Sequence, residues 1–271
     1  MRLTCKNYYS PEANEAFMSV SQFKAFDKCE AAALAELRGE YKPAPCTAML
    51  VGSYVDAFVS KELDAFTEAH PEIFKRDGSL KADFVQAEEI IKRIESDRLF
   101  RRMVSGVHQR IRTGTIGGVP FKCKIDSLLY SKQIQRTIKL FPETEDFFGL
   151  ATGAIVDLKV MRDFEPIWKD GQRVPFVVAW DYDLQGAVYQ KLEDHDLPFF
   201  VAAITKESPA DLAVIAFDQS SLDARLREVE ERAPRYQAIK TGEIQPERCE
   251  RCAYCRATRK IRTFVDFREM I

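Results

Sequence analysis

The segment that most constrains this chain is residues 152–161 (TGAIVDLKVM), a short apolar run that carries two charges. Its β-branched residues are typical of a strand buried within a sheet. Side chains alternate between the two faces of a strand, so Asp157 and Lys159 point to the same face. Burying a carboxylate and an ammonium costs free energy unless the two are paired or have a role. The segment therefore predicts a central strand with one chemically active face.

Hydrophobic spacing predicts the elements on either side of this strand. Helical periodicity covers residues 18–38, 47–66, 80–104, 178–192 and 219–241, and Ser19 or Ser21 is the expected N-cap of the first helix. Alternation predicts a β-hairpin over residues 106–130 that turns at Gly117–Gly118, and strands over residues 199–205 and 212–218. This order of helices, hairpin, strand, helix, two strands and helix predicts an α/β fold with a central mixed sheet flanked by helices.

Length and composition bear on domain organisation and location. The 271 residues contain no internal repeat, low-complexity tract or linker, which favours a single domain over residues 1–271. Within it we expect a mostly helical part over 1–105, a catalytic sheet core over 106–218, and a C-terminal helix with a cysteine motif over 219–271. No stretch approaches 18 uninterrupted apolar residues and the start lacks an apolar signal region, so we expect a cytoplasmic protein without membrane spans.

A second carboxylate precedes the charged strand. The hairpin's second strand ends in Lys124-Ile125-Asp126, which places Asp126 beside Asp157 if the two strands are neighbours. Adjacent carboxylates repel each other, and a divalent cation is the common way to stabilise them. The ammonium of Lys159 could polarise a water or stabilise an oxyanion, as metal-assisted phosphodiester hydrolysis requires. The alternative is a structural Asp–Lys pair at a strand end, because D-x-K also occurs by chance.

The order and spacing of these residues resemble the motif of the PD-(D/E)xK nuclease superfamily, in which an Asp precedes a D-x-K tripeptide. Three further segments resemble the G-x-x-x-D/E, Q-x-x-x-Y and opening S-x-S elements of its RecB-like and RecE-like branches, namely residues 52–56, 185–189 and 19–29. Residues 185 and 189 are i and i+4 on the predicted helix, so they share one face. The resemblance extends from about residue 18 to residue 262 and implies a restriction-endonuclease-like core.

The resemblance implies a metal site and a role for the neighbouring lysine. The implied ligands of Mg²⁺ or Mn²⁺ are three carboxylates and one backbone carbonyl: Asp56, Asp126, Asp157 and the carbonyl of Leu158. Lys159 would position or activate the attacking water. Several relatives have His where this chain has Asp56, and the substitution favours a hard, oxygen-only site.

The same resemblance gives roles to the helix that follows the central strand. Gln185 and Tyr189 would contact the DNA strand or orient Lys159. The stretch over residues 130–150 is longer than the usual hairpin connection of the family. It is expected to be a loop specific to this protein.

The seven cysteines contain a second candidate metal site. Three of them form a C-x-x-C-x-x-C motif, and with one upstream cysteine they make a set of four: Cys29, Cys249, Cys252 and Cys255. Four thiolates are enough for a [4Fe–4S] cluster or a tetrahedral zinc ion, and reduced thiols without metal are the third alternative. Some RecB-like nucleases have a similar layout around an iron–sulfur cluster, with a longer last gap. Cys5, Cys46 and Cys123 are expected to pack as small hydrophobic residues.

The charge balance limits the classes of partner. The chain has 40 basic and 42 acidic residues, and the net charge of −2 argues against a histone-like nucleic-acid binder but not against a local basic groove. The cations that could hold phosphates fall into three groups: Lys122 and Lys124; Arg98, Arg101 and Arg102; and Arg256, Arg259, Lys260 and Arg262. The last group is the expected contact with DNA.

The resemblance to the RecE-like (exodeoxyribonuclease VIII-like, often phage-encoded) group implies a metal-dependent DNA exonuclease. Such an enzyme would resect double-stranded ends from 5′ to 3′ during recombination, together with a RecT-like single-strand annealing protein, and would form a homo-oligomer. One alternative is an iron–sulfur single-strand DNA nuclease of the CRISPR-adaptation or helicase–nuclease type. Another is a non-catalytic DNA-binding protein that retains the fold.

Overall fold

The elements are taken from a computed structural model that describes residues 1–44, 47–169, 171–193, 197–261, 263, 264, 266 and 268. The helices are α1 (Pro11–Ala16), α2 (Val20–Lys28), α3 (Glu30–Leu37), α4 (Thr47–Val59), α5 (Leu63–Ala69), α6 (Ala82–Ser96), α7 (Arg98–Met103), α8 (Ser131–Leu140), α9 (Glu145–Phe148), α10 (Phe176–Ala179), α11 (Tyr182–Glu193), α12 (Gln219–Thr241) and α13 (Ala253–Ala257). The strands are β1 (Val107–Ile116), β2 (Val119–Tyr130), β3 (Gly153–Met161), β4 (Ile167–Lys169), β5 (Gln172–Val174), β6 (Phe199–Thr205) and β7 (Leu212–Ala216).

The central sheet is mixed, as predicted, with the strand order β1-β2-β3-β6-β7. All neighbouring pairs are antiparallel except β3 and β6, which run parallel because α11 crosses over between them. The predicted turn of the β1–β2 hairpin is also confirmed, since Gly117 and Gly118 both have positive φ angles (56° and 78°). β4 and β5 form a separate small hairpin that the sequence pattern did not predict.

Helices cover both faces of the sheet. Along β6, Phe199, Val201 and Ala203 pack on the face that contacts α2, α11 and α12. The alternate residues of β6 face α4, α6 and α7 across the sheet. The alternation of apolar side chains on a strand that is buried on both sides produces this three-layer α/β/α arrangement. Asp157 and Lys159 share a strand face with Ile155, which places them towards α2 and α11.

The sheet divides at the position of the charged residues. The β2–β3 ladder ends at the pair Ser127 and Val156. Beyond that pair β2 continues only with β1, and β3 continues only with β6. Asp126 and Asp157 are therefore the first residues past the end of the ladder, on either side of the gap.

Several predicted boundaries differ from the structure. The helix expected over residues 18–38 is divided into α2 and α3 because Cys29 is extended (φ −168°), although Ser19 caps α2 as expected. The helices expected over 47–66, 80–104 and 178–192 are likewise each divided in two. The prediction of a loop over 130–150 is wrong: α8 and α9 occupy most of it, and Ile134 on α8 is buried against the sheet. The long helix α12 ends where expected, with Gly242 at φ 84°.

Candidate active site

Asp157 on β3 is buried and is restrained by two neighbours. The side-chain amide of Gln185 on α11 donates a hydrogen bond of 2.6 Å to Oδ1 of Asp157. The ammonium of Lys159 forms an ion pair with Oδ2 and lies 5.3 Å from the ring centre of Tyr182. Burial opposes the charge of Lys159, but attraction to Asp157 and Asp126 outweighs it and raises the pKa of Lys159.

Asp126 on β2 faces this group across the gap in the sheet. Its Oδ2 accepts a hydrogen bond of 3.0 Å from the backbone N–H of Leu158, in the place where a strand carbonyl would otherwise accept. The N–H and the C=O of one residue in an extended strand point to the same side, so the carbonyl of Leu158 faces this side as well. Burial and the charges of Asp157 and Asp56 raise the pKa of Asp126 well above its usual value.

Asp56 on α4 reaches the same place from the opposite helical layer. The amide of Gln109 donates a hydrogen bond of 3.1 Å to Oδ2 of Asp56. Burial raises the pKa of Asp56, and Lys124 acts against that rise. Because β2 and β3 part at this point, a residue from the α4 side and residues from the α11 side can line one space.

The side chains predicted for the catalytic site all line one cavity of about 750 Å³. They are Asp56, Asp126, Asp157, Lys159, Gln185 and Tyr189. The donor set fits a hard divalent cation, because carboxylates and a backbone carbonyl offer only oxygen. The individual roles stay predictions.

Tyr189 contributes a phenol to the floor of this cavity. Its ring packs edge-on against Phe199, with 6.5 Å between the ring centres. Burial, followed by the charges of Asp157 and Asp126, raises the pKa of Tyr189 well above its usual value. The hydroxyl therefore remains a hydrogen-bond donor beside the carboxylates.

Lys24 on α2 is a site residue that the sequence did not single out. Its ammonium donates a hydrogen bond of 2.8 Å to the carbonyl of Trp180 and lies 5.6 Å from the ring centre of Tyr182. Burial lowers the pKa of Lys24 to about 8, against the attraction of Asp181. The signal in the sequence was its place within the opening S-x-S segment, whose helix forms a wall of the cavity.

Comparison with known proteins identifies the family of this chain. Residues 19–148 and 143–258 match the family described as "PDDEXK-like domain of unknown function (DUF3799)". The chain belongs to this family. It is thus a member of the PD-(D/E)xK nuclease superfamily, as its sequence motifs predicted. No protein in a search of curated sequences matches it significantly.

A solved structure resembles this family member over its whole length. The crystal structure of a "putative exonuclease" from Eubacterium rectale superposes with a TM-score of 0.87 at 39% sequence identity. The match covers 100% of this chain and 98% of the other.

In the described part of the chain, no helix is both long enough and apolar enough to cross a bilayer.

The basic residues of this PD-(D/E)xK protein are placed differently from expectation. Lys122 is 1% exposed, and its ammonium donates to the carbonyl of Tyr8 and to Oδ1 of Asn14 (2.5 and 2.7 Å). Lys122 also lines the cavity, but its ammonium is already held by these two acceptors, so it anchors the N-terminal segment. Lys124 lines the cavity, near the ring of the exposed Tyr9.

The clusters outside the hairpin do not line the cavity. Arg98, Arg101 and Arg102 lie on α7, away from it. In the last group, Arg259 forms an ion pair with Glu250, and neither Arg256 nor Lys260 lines the cavity. Arg262 lies outside the described residues. The expected DNA contact at this group stays a prediction.

The four predicted cysteine ligands converge at a second place. The Sγ atoms of Cys29, Cys249, Cys252 and Cys255 all lie within 4.8 Å of one another. Of the other three cysteines, Cys123 is buried as expected, but Cys5 is exposed, so that expectation was wrong for Cys5. Cys46 lies outside the described residues.

Proposed function

We propose that this protein is a metal-dependent DNA exonuclease that hydrolyses phosphodiester bonds at the ends of double-stranded DNA. The observation that carries the proposal is the meeting of Asp56, Asp126, Asp157 and Lys159 in one cavity at the gap in the sheet. The E. rectale relative, which is described as a "putative exonuclease", supports action at ends.

The proposed ligands of a divalent ion are Asp56, Asp126, Asp157 and the carbonyl of Leu158. Bound Mg²⁺ or Mn²⁺ would supply Lewis-acid stabilisation of phosphate charge and a lower pKa for a bound water. Gln185 holds one oxygen of Asp157 and so fixes the orientation of the carboxylate.

The ammonium groups of Lys159 and Lys24 lie beside these carboxylates. Lys159 is held between Asp157 and the ring of Tyr182, so it can orient the attacking water or neutralise charge that develops on the phosphate. Lys24 approaches the same ring from α2 and would contact a phosphate oxygen. Tyr189 would donate a hydrogen bond from its hydroxyl to the scissile strand.

We propose the remaining properties from the resemblance of the sequence to RecE-like exonucleases. They are 5′-to-3′ resection for recombination, cooperation with a RecT-like annealing protein, assembly as a homo-oligomer and a cytoplasmic location. We also propose that residues 1–271 act as one nuclease domain, because helices from residues 1–105 and 219–271 pack directly on the sheet core.

The test uses linear duplex labelled at the 5′ or the 3′ end, with a covalently closed circle of the same sequence as the control. With Mg²⁺ the wild type should release nucleotides from the linear duplex first at the 5′ label, and EDTA should abolish the release. Lys159→Ala and Asp157→Ala should each lose at least about 100-fold in rate. Lys92→Ala, on the exposed face of α6, should retain the wild-type rate.

Each arm has an outcome that counts against part of the proposal. Equal cleavage of the circle and the linear duplex would show an endonuclease. Earlier release of the 3′ label would reverse the polarity. Wild-type rates in both site variants, with circular dichroism showing folded protein, would refute the catalytic assignment.

A further inference from the structure

We propose that Cys29, Cys249, Cys252 and Cys255 bind one zinc ion in a tetrahedral site, in place of the iron–sulfur cluster that the resemblance implies, and that this ion fastens one wall of the active-site cavity. The proposal concerns a site away from the carboxylates. It therefore stands independently of the proposed nuclease activity.

The spacing of the sulfur atoms distinguishes the two groups. The Sγ atom of Cys255 lies 3.5 Å from that of Cys29 and 4.0 Å from that of Cys249, and all four sulfurs are within 4.8 Å of one another. Zinc–sulfur bonds of about 2.3 Å in a tetrahedron place the sulfurs about 3.8 Å apart. A cubane cluster has four irons between its thiolates and holds them farther apart. The observed spacing fits one shared ion and is too small for the cluster.

The backbone around the C-terminal cysteines is arranged to hold thiolates. The N–H of Cys252 donates to Sγ of Cys249 at 3.3 Å, and the N–H of Cys255 donates to Sγ of Cys252 at 3.4 Å. Between the first two cysteines, Glu250 adopts a left-handed conformation (φ 58°) that is unfavourable for a residue with a side chain. A strained turn of this kind persists only where the surroundings determine it.

A nearby cation offsets part of the charge of the site. Four thiolates and one Zn²⁺ carry a net charge of −2, which requires compensation in a partly buried place. Arg248 donates a hydrogen bond of 2.7 Å to the carbonyl of Cys255, and its guanidinium lies 5.9 Å from the ring centre of Tyr254. Arg248 also forms an ion pair with Glu250, so its guanidinium lies beside the site and offsets only part of this charge.

The position of Cys29 connects this site to the cavity. Cys29 separates α2 from α3, and the C-terminal end of α3 together with α2 lines the cavity. The first residue of α3, Glu30, forms hydrogen bonds of 2.6 and 3.0 Å to Arg235 and accepts one of 2.7 Å from the N–H of Glu247. An ion shared with Cys249–Cys255 would fix the junction of the two helices from its other side.

The first experiment identifies the ion. An untagged chain is purified without oxygen from cells supplied with both iron and zinc, and its metals and acid-labile sulfide are measured. We expect about one zinc per chain and no visible absorption band. Cys29→Ser and Cys255→Ser should lose the zinc, and Cys5→Ser, which changes an exposed cysteine outside the group, should retain it. If a serine variant fails to fold, the zinc content of the wild type still decides the assignment.

Two results would overturn the zinc assignment. One is stoichiometric iron with acid-labile sulfide. The other is an anaerobic protein without bound metal in which all four thiols react with a thiol reagent.

The second experiment tests the fastening role by hydrogen exchange. Removal of zinc with a chelator should increase amide exchange in α3 by at least about tenfold, because local opening there is no longer restrained. Exchange in α6, which packs in a separate core on the other face of the sheet, should not change. Unchanged exchange in α3 after complete zinc loss would refute the fastening role and leave a bound ion without it.

Discussion

Gln185 shows at the scale of single residues how the site depends on side chains that restrain others. The amide of Gln185 holds Oδ1 of Asp157, whose Oδ2 pairs with Lys159, and the amide of Gln109 holds Oδ2 of Asp56. A carboxylate that is already oriented loses less freedom when it binds an ion. The period-two argument placed Asp157 and Lys159 on one face from sequence alone. Which donors would restrain them could not be predicted, because Gln109 lies 53 residues from Asp56.

Replacing Gln185 with leucine should weaken the metal site without unfolding the protein. Loss of a partner to a metal ligand typically lowers metal affinity or activity by about 10–100-fold. We expect Gln185→Leu to need more Mg²⁺ for half-maximal cleavage, as measured by titration of Mg²⁺ at fixed duplex. Gln135→Leu, on the exposed side of α8, is the matched control. An unchanged Mg²⁺ requirement in Gln185→Leu would show that this amide does not support an ion.

Lys122 and Lys124 both lie on β2, and we expect them to differ in role: Lys122 should support the stability of the fold, and Lys124 should support the binding of DNA. Lys122→Met removes a buried ammonium with two acceptors and should lower the free energy of unfolding by about 1.5–3 kcal/mol. It should also expose residues 1–17 to proteolysis. Lys124→Met should keep the stability and weaken DNA binding, because Lys124 lines the cavity and is only half-buried, whereas the ammonium of Lys122 is held by two protein acceptors. Denaturant melts, limited proteolysis and binding assays on both variants check this, and equal effects on stability would contradict it.

Helices and strands with strong internal periodicity were predicted from the sequence. The breaks within helices and the elements that were missed depend on tertiary contacts. The strand β3 and the β1–β2 hairpin agree with the pattern because their alternation and turn glycines are local signals. No glycine or proline marks the break between α2 and α3 in the sequence. The break occurs where the thiol of Cys29 meets the thiols of Cys249, Cys252 and Cys255. The helix α8 was missed although Ile134 and Ile138 have helical spacing on it. A loop was expected there because the stretch is longer than the usual hairpin connection of the family.

Two glycines on helices should respond in opposite ways to alanine. A Cβ at Gly186 on α11 would lie 2.3 Å from the ring of Phe199, which is fully buried and cannot move aside. Gly186→Ala should therefore destabilise the protein by about 1–3 kcal/mol. A Cβ at Gly52 on α4 meets nothing within 4 Å, so Gly52→Ala should stabilise by up to about 1 kcal/mol. Denaturant unfolding of both variants measures the difference, and stabilisation by Gly186→Ala would contradict the close packing.

The whole molecule has a net charge of −2, and its cavity is lined by basic and acidic side chains in equal number. The cations around the opening that could reach a phosphate are Lys24, Arg38 and Lys124. A small number of phosphate contacts releases few counterions, so binding should depend only moderately on salt.

The division of the chain into residues 1–105, 106–218 and 219–271 stays a prediction.

The dependence of DNA affinity on salt concentration measures how many phosphates contact cations of this cavity. With about three phosphate contacts, the slope of log K against log [salt] should be about −3 for an Asp157→Ala variant that cannot cleave. Adding Lys124→Met should make the slope less steep by about 1. Adding Arg256→Gln, outside the cavity, should leave it unchanged. A reduced slope with Arg256→Gln and not with Lys124→Met would place DNA across the cysteine motif instead.

The contact between the sulfurs of Cys29 and Cys255 joins residues separated by 226 positions in the chain. During synthesis, a nascent chain cannot make this contact until the central sheet and α12 have emerged from the ribosome. A chain cut short between residues 242 and 248 keeps Asp56, Asp126 and Asp157 but lacks three of the four thiols. The cysteine motif over residues 249–255, which is translated after the sheet, would thus complete the attachment of the cavity wall that α2 and α3 form.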